Sequence, residues 1–180
     1  MKTESNSLAA YLTFNDIIDG DLPAVHSKAV EIIGHASDDI KKAQLLFEWV
    51  RDKIPHSNDA GRQELPCSAS ETLKAGTGIC FAKSHLLAAL LRSIMVPTGF
   101  CYQVLMLDPP QDKTLILHGL NAVFIAQINR WAIIDARGNR EDIDAKFDII
   151  NPSLAFDMDP NEGEYLDDTI YVAPFPHVVD

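Results

Sequence analysis

Long apolar runs are missing from this sequence. The longest, within LLAALLRSIMV, is interrupted by Arg92 and falls short of the ~20 apolar residues that a membrane-crossing helix needs. The opening MKTESNSLAAYLTF is polar first, without the charged, apolar, small-residue order of a secretory signal. Basic residues are scarce as well. Against 26 Asp and Glu stand 15 Lys and Arg, a net charge of −11, with no basic cluster able to track phosphates. Neither nucleic acid nor a membrane is therefore an expected partner. Cysteines number three, Cys67, Cys80 and Cys101, and no CxxC pair occurs, which argues against a zinc site or a disulfide framework. Such usage suits a reducing cytoplasm, where cysteines are buried hydrophobes or reactive thiols. The acid-rich DMDPNEGEYLDD lacks the spacing of a calcium loop and reads as a solvated face, so no metal or other cofactor is expected. Repeats and low-complexity tracts are absent.

What is present suffices for one core. A chain of 180 residues with 47% hydrophobic composition fits a single domain over 1–180, able to bury roughly 70% of its unfolded surface. Val25, Ala29, Val30, Ile32 and Ile33 form a helical stripe that Gly34 stops. Ser37 opens a second helix with acidic residues in its first turn, and Pro55 ends it. Residues 56–79 read as a functional surface loop with a short helical turn near Ser70–Lys74. A third helix follows in CFAKSHLLAALLRSIM, with Leu87, Leu90, Leu91 and Ile94 as its stripe. Beyond Pro97 the segments GFCYQVLML, LILHGLNAVFIAQ and RWAIIDA read as strands of an antiparallel sheet. The fold class is α+β, with the Cys80 helix packed on that sheet. Residues 37–140 form the core, and the proline-rich 141–180 wraps it as irregular structure.

The chemistry concentrates at Cys80. GTGIC sets this thiol in the first turn of a helix, where unpaired backbone N–H groups carry about half a positive charge and favour thiolate. Those N–H groups suit an oxyanion too. His118 lies in an otherwise apolar strand and Asp135 ends the next one. The three supply a nucleophile, a base and an orienting acid. His56 and Asn58, in the loop before Cys80, are candidates for lining a cleft or donating to an oxyanion. Tyr102 and Gln103 are candidates for touching substrate. Lys83 and His85 read as surface and helix-face residues, Cys67 and Cys101 as packing. Arg137 and Asn139 read as fixing the turn after Asp135.

GTGICFAKSHLLAALLRSIMVPTGF resembles the transglutaminase-like pattern of glycine, cysteine, apolar helix and a turn into a strand, and HGLNAVFI and RWAIIDARGN resemble its histidine and aspartate strands. Many members carry an aromatic just after the histidine, where this chain has Gly119. The resemblance implies a papain-like core and a Cys80–His118–Asp135 triad, with acyl transfer or hydrolysis on a peptide or glutamine-type amide through a thioester. Two other classes remain open: a catalytically silent peptide-binding module, and acyl transfer from coenzyme A as in arylamine acetyltransferases, which the lack of a basic stretch disfavours. The triad makes a demand on the hairpin. A two-residue turn at Asn129-Arg130 would set Asp135 opposite Phe124, ~20 Å along the strand from His118. A wider loop is therefore expected.

Overall fold

The computed structural model of the chain describes residues 1–106 and 114–178. Strand β1, Lys2–Thr3, precedes four helices: α1 Pro23–Ile33, α2 Asp39–Lys53, α3 Ala69–Ala75 and α4 Cys80–Ser93. Strands β2 Thr98–Met106, β3 Leu115–Ile125 and β4 Arg130–Ile134 follow, then the short β5 Tyr165–Leu166 and β6 Thr169–Ile170. The last residue of the expected first strand, Leu107, lies outside the described residues.

Local chemistry accounts for the helix ends. Pro23 occupies the first turn of α1, where its missing N–H costs nothing, and Gly34 follows with φ 53. Only Val25 and Ala29 of the expected stripe are fully buried, while Val30 is exposed. Helix α2 is capped by Asp38, one residue after the expected Ser37, its carboxylate accepting from Lys41 N–H at 2.9 Å. The turn expected near Ser70 is a two-turn helix, started by a Ser68/Glu71 capping box and ended by Gly76 in the left-handed region.

Helix α4 is the centre of the molecule. Every residue from Ala82 to Arg92 is buried, so the expected stripe is too narrow: this helix is enclosed all round. It packs against α1, α2 and α3 and against β2 and β3. The antiparallel sheet has the order β4-β3-β2-β5, four strands where the sequence suggested three. The tail supplies the difference: β5 adds to β2 and β6 pairs in parallel with β1. Between β3 and β4 the loop is wide, as expected. Ile125 pairs with Arg130 across four residues, Ala126–Ile128 as a 3-10 turn and Asn129 with φ 48. Asn121 then faces Ile134, and Asp135, the next residue, projects toward the His118 end of β3.

Candidate active site

Cys80 stands at the first position of α4 because the residues before it cannot continue a helix. Gly76 ends α3 with φ 64, and Gly78 is bridged to His56, its N–H bonding Pro55 O at 3.3 Å and its carbonyl accepting Ser57 N–H at 3.2 Å. A Cβ on Gly78 would stand 2.9 Å from Ala82 Cβ, so only glycine fits that approach. This bridge brings the 55–57 loop beside the thiol. His56 and Asn58 line the same cleft as Cys80 and His118, a cavity of about 520 Å³.

His118 Nε2 lies 2.8 Å from Asp135 Oδ2, both side chains buried. His118, His56 and the Gly119 N–H all act on the Cys80 thiol and favour its ionised form. Asp135 is itself cradled: Oδ1 accepts Arg137 N–H at 3.0 Å and Oδ2 accepts Ala155 N–H at 2.9 Å. Burial opposes ionisation of each group, yet the mutual interactions win. Hydrogen bonds from His118 and His56, with the His118 charge, bring the Cys80 thiol down to about 6 despite burial. The Asp135 carboxylate, by charge and hydrogen bond, lifts His118 to about 10 against the desolvation that would lower it. Asp135 is held below its ordinary range, the His118 charge and the backbone N–H groups outweighing its burial. The Cys80 and His118 shifts both favour a thiolate–imidazolium pair. Among the described residues no cluster of His, Cys, Asp and Glu is arranged to hold a metal ion.

The model of the transglutaminase-like superfamily matches residues 26–136, more than half of the sequence. The chain belongs to the transglutaminase-like superfamily. Among solved structures, a proposed cysteine protease from Cytophaga hutchinsonii aligns with a TM-score of 0.60 at 20% identity, covering 74% of this chain and 43% of that one. A structure described as a TGase aligns at 0.47 and 15% identity, covering 76% and 37%. Red sea bream transglutaminase aligns at 0.41 and 14%, covering 74% and 26%. The chain thus spans less than half the length of these structures. Comparison with curated proteins gives no match.

Within this transglutaminase-like fold several residues stand elsewhere than expected. Tyr102 and Gln103 do not line the cleft. Tyr102 stacks on Phe175 with centroids 4.2 Å apart, and Gln103 is fully buried with Nε2 donating to Phe156 O at 3.1 Å. Lys83 is no surface lysine. It is fully buried, its ammonium bonding the carbonyls of Ile54 and Arg51 at the end of α2, and burial lowers it to about 7. His85 is buried too, its Nδ1 2.8 Å from Cys67 O. Gly119 explains the missing aromatic: a Cβ there would stand 2.6 Å from Phe81 Cδ1. The Arg137 N–H closes the turn on Asp135 Oδ1, its guanidinium pairs with both oxygens of Asp59 in the loop that follows His56, and the residue lines the cleft. Sequence reasoning missed Ala155 and Phe156, because an irregular tail carries no periodicity to place them. It also missed the apolar cleft wall of Leu105, Met106, Ile116 and Leu117.

Proposed function

We propose that this protein is a thiol hydrolase or acyltransferase acting on a peptide or glutamine-type amide, with Cys80 as nucleophile, His118 as base and acid, and Asp135 as orienter. The observation that carries the reading is the 2.8 Å His118–Asp135 bond, with Cys80 acting on the same imidazole and lining the same cleft. The thiolate attacks the carbonyl carbon and an oxyanion forms. The Cys80 N–H, at the first helical position, lacks an intrahelical partner and is available to that charge. His56 is a further donor there. It already bonds the sulfur, and that hydrogen bond is released when the sulfur becomes a thioester. His118 gives its proton to the leaving amine, then takes one from water as the thioester is hydrolysed. Water needs no acceptor site, which favours hydrolysis over transfer.

The wrapping segment supports reading 1–180 as one working unit, since Ala155 and Phe156 touch Asp135 and His118. Thiols at Cys80 and Cys101 that form no disulfide suit a cytoplasmic setting. No helix among the described residues is long and apolar enough to cross a membrane. The test is the pH dependence of Cys80 alkylation by iodoacetamide. The rate should rise through about 6 and then level off, with Cys101, whose thiol burial pushes up, unreactive. A Cys80 rate that climbs only near the ordinary thiol range of ~8.5 would contradict the reading.

A further inference from the structure

The wrapping segment meets the site at two residues beyond the family match. Ala155 N–H donates to Asp135 Oδ2, the oxygen that also meets His118. Phe156 sets its ring edge-on to the His118 imidazole, centroids 5.0 Å apart at 86°. Its carbonyl is held by Gln103, the residue directly across the β2–β3 ladder from His118. The Arg137 guanidinium lies 5.6 Å from the Phe156 ring, and the Arg137 N–H holds the other Asp135 oxygen. The same Phe156 side chain lines the open cleft. Two consecutive residues are therefore stitched to His118's carboxylate partner and to its cross-strand neighbour, and one of them also separates the imidazole from solvent in the cleft.

We propose that Ala155–Phe156 is a positioning strap, which holds His118 on Asp135 and keeps cleft water from their bond. The proposal rests on the triad reading. Its physical basis is dielectric: the same charge pair at the same distance interacts about fourfold less in water than at an effective protein constant of about 20. Arg140, Asp142, Asp157 and Glu164 line the same cleft, and other groups bear directly on the bond. His118 faces Asp135 from the end of β4 and Cys80 from α4, with His56 joining on the sulfur side. Lys83, from α4, and Arg137, from the turn, bear on Asp135 and the strap. Removing the Phe156 ring opens this cluster to the cleft, and hydration relaxes both partners toward their ordinary values.

The experiment pairs two titrations on the full chain: His118 followed by NMR, and Cys80 alkylation by iodoacetamide against pH. In Phe156→Ala, His118 should titrate about one unit lower or more, and thiolate formation should move up by a similar amount. Phe156→Leu, which refills the space, should restore most of both. Gln103→Leu cuts the carbonyl anchor and should shift both in the alanine direction, so the proposal stays testable if the alanine variant fails to fold. Wild-type titrations with both shifts present, unmoved in Phe156→Ala and Gln103→Leu even where melting temperature falls, would overturn the strap and leave the triad standing. A wild-type thiol without a lowered titration would instead bring down the triad reading itself.

Discussion

Cys80 owes its chemistry to its neighbours. Cys101 is the same side chain on β2, fully buried, and burial, with the Asp167 charge adding to it, pushes its thiol up. At Cys80 burial pushes the same way, but two imidazoles and the Gly119 N–H outweigh it. On the proposed reading Asp135 acts only through His118, and this fixes an order among variants. Cys80→Ala should abolish turnover of a peptide amide, and His118→Ala should cost nearly as much. Asp135→Asn should lose less than the roughly 10⁴-fold of the serine-protease template, because a thiolate leans less on an oriented base. The double variant His118→Ala/Asp135→Asn should be little worse than His118→Ala alone. Amide turnover checks this: losses that simply multiply would show that His118 and Asp135 do not act as a unit.

At the scale of elements, the site is the junction of a helix start and a hairpin. Helix α4 can approach β3 so closely because Gly119 has no side chain, leaving Phe81 its place and the Gly119 N–H its bond to sulfur. Gly119→Ala should therefore push α4 and β3 apart, costing about 1–3 kcal/mol of stability by overpacking. Cys80 alkylation at pH 7 should slow in step; urea unfolding and the alkylation rate measure the two effects, and an unaltered protein would refute the close packing. Much of this junction was legible beforehand. GTGIC announced the helix start through glycines and an apolar run, and His118 and Asp135 stood out as polar residues on apolar strands. The β3–β4 loop width was inferred from chemistry rather than from local turn signals, since Asn129-Arg130 reads equally well as a tight hairpin. Lys83 was not legible. A lysine one turn into a helix looks solvent-facing until the end of α2 is known to offer it two carbonyls.

Across the whole molecule, buried cations and tail carboxylates do what regular structure would otherwise do. Arg92, almost fully buried, donates to Thr98 O, Thr13 O and Val172 O, so one side chain ties the N-terminal segment, β2 and the tail to the central helix. The acid-rich tail is more than a solvated face. Asp148 accepts from the N–H groups of Ile150 and Asn151, and Glu164 from those of Met106 and Asp159, satisfying backbone donors in a segment with little sheet. Such capping has no period, so composition announced the charge and not its use. The same irregular tail delivers Ala155 and Phe156 to Asp135 and His118, which places part of the candidate site beyond the segment that matches the superfamily.

The central claim is that Cys80 forms a thioester with an acyl donor and that His118 drives this step. The most direct measurement is intact-protein and peptide mass spectrometry after incubation with a peptide thioester at pH 7, comparing the wild type with Cys80→Ser and His118→Ala. The account predicts an acyl adduct on Cys80 of the wild type, none on Cys67 or Cys101, none at position 80 of Cys80→Ser, and much slower labelling in His118→Ala. An unlabelled wild type, or labelling spread over the three cysteines regardless of His118, would contradict it.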